Sequence, residues 1–456
     1  MLYAEKPQPA GNTPVSCRQG SATLSPTTTK PEGAEPRASR PSALFSKRFR
    51  IAGLEALAFR DFRLLWFGHC FASTAFWMDQ VTRGWLIYEL TNSALQLGLV
   101  RGIQAIPTLL LSPLAGSLAD RYSRKAQIVL AQVADGLMFA ALAALIVTER
   151  IEVWHVYATA FGMAAVQTFQ QPARGAIVAD AVPPSRLTNA IGLNSIVFNV
   201  ARSTGPALAG ILISRFGTGG CYAVQAAFYI LATFWTARLQ AAGRPAPGRH
   251  GAGAPSPTLG RSIIEGWQFS WRTFSVRTAL LVVMFASLFI VPFTTLLPVF
   301  ARDLLGVGAT GQGLLLTAMG IGALGSAMMI AFVGDRLRRG LFMLAGVALY
   351  GVSVVAFSVS PWFWASMALM VIVGFANVCS HALVQTVIQS YSPSEFRGRT
   401  MAVFHMSGVV LTVGSMLIGV LATLLGPRWA VALMGAAGAA AMAAIHFALP
   451  GARHIR

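Results

Sequence analysis

The sequence predicts an all-α polytopic membrane protein of twelve transmembrane helices, arranged as two pseudo-symmetric halves of six. Composition, run length and an internal repeat carry that prediction. Of 456 residues, 55% are hydrophobic and only 11% are charged, whereas a soluble chain carries roughly 25% charged residues. Mean hydropathy is +0.61. Apolar runs recur from about residue 62 to 449, each long enough to cross a hydrocarbon core about 30 Å thick. Lipid offers the backbone no hydrogen-bond partners, so each run closes its own bonds as a helix. The two-residue alternation of a membrane barrel is absent.

In chain order, residues 1–58 are rich in Pro, Ser, Thr and basic residues. They read as a disordered cytoplasmic tail and lack the continuous apolar core of a signal peptide. Spans are expected near 62–87, 94–119, 125–147, 153–175, 189–214 and 220–240, which make a first bundle over 59–240. The Gly/Pro/Ala-rich stretch "AAGRPAPGRHGAGAPSPTLGR" opens a flexible linker over 241–275. Six more spans, near 276–301, 310–333, 341–359, 362–390, 398–425 and 428–449, make a second bundle over 276–449. A short cytoplasmic tail, 450–456, follows.

The net charge of +19 is topological. With the N-terminus inside, 28 of the 35 Lys and Arg fall in inner tails and loops, against four in outer loops (Arg150, Arg215, Arg302, Arg428). Such a bias puts both termini in the cytoplasm and leaves no charge to explain by nucleic-acid binding. The four cysteines, Cys17, Cys70, Cys221 and Cys379, lack metal-ligand spacing. Neither a metal nor another cofactor is expected, and no nucleotide loop or nucleophile–base constellation points to an enzyme.

The repeat lies in matching motifs. "VPPSRLTNAIGLNSI", entering the fifth span, aligns with "YSPSEFRGRTMAVFHMS", entering the eleventh. Gly205-Pro206 then falls over Gly414-Ser415, and Gly210 over Gly419. "GSLADRYSRK" after the second span (Gly116, Asp120, Arg121, Arg124, Lys125) is echoed by "VGDRLRRG" after the eighth, with Asp335 and Arg336. Parallel repeats of this kind place a substrate site near midplane, between halves that rock against each other.

These motifs resemble the major facilitator superfamily, whose loop signature Gly-x-Leu-x-Asp-Arg-x-x-Arg-Lys is matched by "GSLADRYSRK". "WLIYELTNSALQLGLV", "QQPARGAIVADAVPPSRLTNAIGLNSI" and "ARSTGPALAG" are similar to the enterobactin-exporter-like branch of bacterial exporters, over about residues 58–449. Ser123 departs from the glycine that many members carry, and the fourth span lacks the membrane-embedded arginine of many proton-driven drug exporters. The resemblance implies a multi-pass protein of the bacterial cytoplasmic membrane that works as a monomer on a small-molecule substrate, with protons as a second partner. It also implies a gate: Asp120 near the start of span eleven, at Arg397 or Arg399, with "ARSTGPALAG" (Gly205, Pro206, Gly210) controlling gating or leakage.

Charged groups inside spans are costly, about 2.5–3.5 kcal/mol each at the bilayer centre, so they mark candidates. Asp79 and Arg83 stand i, i+4 and can pair on one helical face. They read either as a structural ion pair or as a proton- or substrate-linked carboxylate with its partner; Asp135 is the second deep acid. Polar stripes at helical spacing nominate cavity residues: Arg101 and Gln104 on span two, then Gln167, Gln170, Gln171 and Arg174 on span four. Span five adds Asn199 and Arg202, and span ten adds Asn377, His381 and Gln385. Simple hydrogen bonding between helices is the competing reading for each. Pro292 and Pro298 interrupt span seven, where unwinding or bending competes with packing alone. The expected activity is alternating-access transport, with proton-coupled export set against an uncoupled facilitator or importer, and against a non-transporting receptor.

Overall fold

A chain that closes its backbone hydrogen bonds within each segment folds as helices, and among the described residues there is no strand. The computed structural model describes residues 53–240, 259–333, 339–449 and 451–452, without the side chains of 113–121, 259–263 and 333. The expected N-terminal tail through 52, linker residues 241–258, Asp335, Arg336 and the last four residues lie outside that set. So do the side chains of Asp120 and Arg121 and the surroundings of Gly116.

The N-terminal segment holds α1 (Arg60–Thr91), α2 (Ala94–Arg121), α3 (Arg124–Val147), α4 (Val153–Ala181) and α5 (Leu187–Ala237). The C-terminal segment holds α6 (Leu259–Arg272), α7 (Phe274–Phe285), α8 (Leu297–Val299), α9 (Gly308–Val333), α10 (Arg339–Val359), α11 (Phe363–Tyr391), α12 (Ser394–His405), α13 (Ser407–Leu425) and α14 (Pro427–Ala448). Nine stretches among the described residues are long and apolar enough to cross a membrane. Helices α1 and α4 fall outside the nine because polar residues on their inner faces dilute otherwise apolar windows.

Left straight, the 51 residues of α5 would run about 76 Å at 1.5 Å per residue, far more than a bilayer core. Gly217, at φ 69° and ψ 178°, breaks the helix in a conformation that glycine adopts without steric cost. The two arms then run back along α1: Trp66 Nε1 donates to Leu193 O (3.4 Å) from the first arm, while Gly68 packs on Ala232 and Thr236 of the second.

Successive loops fall at opposite ends of the bundle. At the linker end, Asn189 Oδ1 accepts from Ala56 N (2.9 Å), Arg124 pairs with Asp180 (2.5 Å), and Lys125 Nζ donates to Leu239 O (2.7 Å). Ser123 Oγ caps α3, accepting from Ala126 N at 3.4 Å, which satisfies one of the orphan donors of a helix start. The opposite end, with the turns at Asn92, Gly217 and Gly426, is called the hairpin end. Large apolar side chains such as Leu130, Leu137, Ile230 and Phe447 are exposed along α3, α5 and α14, as a lipid-facing surface requires.

Two features of the C-terminal segment bear on the expectations. The linker expected over 241–275 is helical from Leu259 to Arg272; α6 docks on α12 by stacking Phe269 on Phe396 (4.8 Å) and pairing Glu265 with Arg399 (2.7 Å). Span seven is irregular from 286 to 304, alternating π, 3-10 and α turns around Pro292 and Pro298. Each proline removes an N–H and clashes with the preceding turn, so unwinding is the outcome there.

Candidate functional site

The repeat pairs found in the sequence pack as pairs in space. Gly205 lies on Trp77 and Met78 of α1, and Gly414 on Leu288 and Pro292 of span seven. Each therefore holds the fifth helix of its repeat against the first. Gly210 lies on Ala309 O of α9, and Gly419 on Ala94 O of α2, where a Cβ would come within 2.6 and 3.0 Å. These two contacts join the N-terminal segment to the C-terminal one near the hairpin end. Small residues let backbones approach this closely. Thr317 Oγ1 donates to Ser203 O (2.9 Å), and the Tyr88 hydroxyl donates to Asp303 across the same seam. Arg302 stands over the Tyr88 ring at 5.5 Å. Among the described residues, these hydrogen bonds between the segments lie toward the hairpin end, which they close.

Beneath that closure lies a cavity of about 1080 Å³ that extends toward the linker end. Its walls come from α1, α2 and α5 on one side, and from span seven, α9, α12 and α13 on the other, with Asn377 of α11. Irregular backbone between Val291 and Pro298 faces it; non-helical backbone at membrane depth is tolerated where it lines a cavity.

Asp79, Arg83, Arg101, Gln104, Arg202, Pro206 and Asn377, all nominated by sequence, line this cavity. Arg83 is bound at every nitrogen. Its Nε meets Asp79 Oδ2 at 3.0 Å, Nη1 donates to Val156 O (3.2 Å) and Thr159 Oγ1 (3.0 Å), and Nη2 meets Met163 Sδ (2.9 Å). The pair is buried, at 4% and 5% side-chain exposure, and it pins α1 to α4. Arg101 donates to Gln80 Oε1 (2.8 Å) and Gln104 Oε1 (3.4 Å). The Arg202 guanidinium stands 5.6 Å from the Trp77 ring, a cation–π contact.

The remaining nominees lie elsewhere. Asp135, Gln167, Gln170 and Arg174 form a second buried cluster inside the N-terminal segment, away from the cavity wall. Gln167 Nε2 donates to Asp135 Oδ2 (3.2 Å), Arg174 reaches Gln170 Oε1 (3.1 Å) and the His69 ring, and Tyr229 flanks Asp135. Gln171 is exposed and Asn199 donates to Ser195 O within its own helix (2.8 Å). His381 is exposed with its ring 5.1 Å from Phe404, and Gln385 is half-buried on α11; neither lines the cavity. Arg397 is exposed, and Arg399 is engaged by Glu265. Among the described residues no three His, Cys, Asp or Glu cluster to hold a metal.

Sequence reading missed Trp77, Gln80, Gln312 and His405, which also line the cavity. A signal existed for the first two. Trp77, Gln80, Gly84 and Ile87 repeat at three-to-four residue spacing, on the helix that carries Asp79.

A family model described as transmembrane secretion effector matches residues 51–454. The chain is 24% identical to the staphyloferrin A transporter of Staphylococcus aureus, over 79% of this chain and 89% of that one. It is 25% identical to the multidrug efflux pump Tap of Mycolicibacterium fortuitum, over 70% and 78%. The fold is similar to that of a bacterial homolog of the lysosomal transporter Spinster solved in an inward-facing, unoccupied conformation, with TM-score 0.65, 15% identity, and coverage of 87% and 96%. The protein is a membrane transporter, and it belongs to the transmembrane secretion effector family of the major facilitator superfamily.

Proposed function

We propose that this chain is a secondary exporter with six spans in each half, moving a small amphipathic or anionic molecule outward by alternating access in exchange for protons. The observation that carries the proposal is the cavity of about 1080 Å³ between the two repeats, closed at the hairpin end by the symmetric glycine contacts and the Tyr88–Asp303 bond. The 28-to-4 distribution of basic residues supports a cytoplasmic linker end in the inner membrane, so this conformation is the inward-facing one. Asp120 would latch the opposite state by meeting the positive start of α12, an interaction of about 0.3–1 kcal/mol when exposed. Here Arg399 is held by Glu265, which fits an open latch. Efflux relatives support the outward direction.

The full engagement of Arg83, which leaves Asp79 paired, favours a second reading, an uncoupled facilitator. Transport in everted vesicles separates the two. Proton-coupled export requires accumulation that collapses when a protonophore removes the gradient; gradient-independent equilibration would select the facilitator.

A further inference from the structure

The charges on the cavity wall do not balance. Among the described residues that line it, Asp79 is the one carboxylate, and Arg83 holds it. Two further guanidiniums, Arg101 and Arg202, make no salt bridge with a carboxylate among the described residues; Arg101 feels Asp79 only at longer range, and Asp79 is already held by Arg83. Arg101 is steadied by two side-chain amides and Arg202 by an aromatic face, none of which supplies charge. Cations inside a membrane bundle are costly and persist where a partner or a pathway needs them. Arginine is also the side chain best matched in shape to a carboxylate or phosphate.

The two guanidiniums dock on the same helix. Arg101 docks on Gln80 and Arg202 on Trp77. Those residues stand three apart on α1, so they are neighbours on one helical face. The C-terminal wall opposite carries polar groups but no carboxylate among the described residues: Thr294, Gln312, Asn377 and His405. Gln312 is 2% exposed, and its Oε1 has no hydrogen-bond partner among the described residues. An acceptor buried in this way is destabilising until a donor reaches it.

We infer that this cavity is a two-point anion site, in which Arg101 and Arg202 each take one acidic group of a ligand that carries at least two. Gln312 receives a hydroxyl or amide donor from the same molecule. The substrate class is thus a small polycarboxylate or similar dianion with donor groups on its scaffold, and lipophilic cations are excluded. The inference rests on the reading of this cavity as the transported molecule's site.

The test uses the full chain in lipid nanodiscs, with ligand-induced thermal stabilisation as the readout of affinity. Matched probes are isophthalate with two carboxylates, benzoate with one, uncharged isophthalamide, and benzyltrimethylammonium as the cation. Isophthalate is expected to bind at least tenfold more tightly than benzoate, with no saturable binding of the other two. R101Q and R202Q should each weaken isophthalate about tenfold or more and abolish the preference over benzoate. R101K, which keeps the charge, should restore part of it, and unliganded unfolding temperatures report whether each variant folds. Equal binding of the mono- and dianion, tighter binding of the cation, absence of isophthalate binding, or unaltered affinity in folded R101Q and R202Q would each overturn the inference. Proton-driven flux separates the two readings. Flux that persists without dianion preference removes only the anion site. Dianion binding without any flux removes only the exporter.

Discussion

The two segments bury different chemistry. Every buried charged residue among those described (Asp61, Asp79, Arg83 and Asp135) lies in the N-terminal segment; the C-terminal segment buries Ser, Thr and Gln in their place. Backbone irregularity is distributed the other way. Span seven is broken over 286–304, and the rod entering at Ser394 is interrupted at Met406, while α1 to α4 run unbroken. The contrast has a physical reason. A buried ion pair survives only while its geometry is kept, because separating it leaves a charge without partner or water. Asp79 and Arg83 form such a pair on the unbroken helix α1. A segment with only neutral polar groups tolerates backbone breaks at lower cost, since each group has nearby carbonyls to share. The resulting picture is one segment that holds buried charge and one whose backbone is broken.

The largest effect should come from breaking the charge-holding side. Arg83→Leu strands Asp79 and removes three links to α4, so it should cost about 3–5 kcal/mol and lower the unfolding temperature sharply in detergent. Adding Asp79→Asn should recover much of that loss, because no uncompensated charge remains. If the double variant is no better than the single, the stranded Asp79 charge is not what destabilises it, and the lost links to α4 account for the whole effect.

Next in size is the seam that both segments share. A side chain at Gly210 or Gly419 would collide with a backbone carbonyl of the opposite segment, at 2.6 and 3.0 Å from the Cβ alone. Overpacking of this kind costs about 1–3 kcal/mol. Gly210→Val and Gly419→Val should therefore prise the hairpin end open and shift the population outward. The larger shift should come at Gly210, where the approach is closer. Distances between spin labels at Ser93 and Val307 would register it; unchanged distances in both variants would mean the seam relaxes without opening.

The smallest effect sharpens the comparison at its edge. Ser123 caps α3. Ser123→Gly should cost only a few tenths of a kcal/mol and Ser123→Ala about 1, both read from thermal unfolding. Equal costs would indicate that the cap is not made.

Much of this was legible in the chain. The i, i+4 spacing of Asp79 and Arg83 and the prolines of span seven announce constraints that are met locally, and the offset pairs Gly205/Gly414 and Gly210/Gly419 announce close approaches that are met between helices. Helix α6 was hidden by the Gly/Pro-rich stretch before it, although Ile264, Trp267 and Trp271 already show helical spacing. The polar stripe of α4 misled for a different reason. Spacing tells that Gln167, Gln170 and Arg174 share a face, but not whether that face meets the central cavity or the inside of its own bundle. Here it meets Asp135 and His69.

The sequence by itself determined what solvent physics dictates: helices in lipid, their approximate ends, and the close-packing positions of the repeat. Spacing along the chain allowed Asp79 and Arg83 to pair; tertiary structure decided which other cations meet the cavity. Arg101 and Arg202 line it, while Arg174 turns to His69 inside its own bundle. That outcome depends on which helix faces which, and is set by packing across the chain.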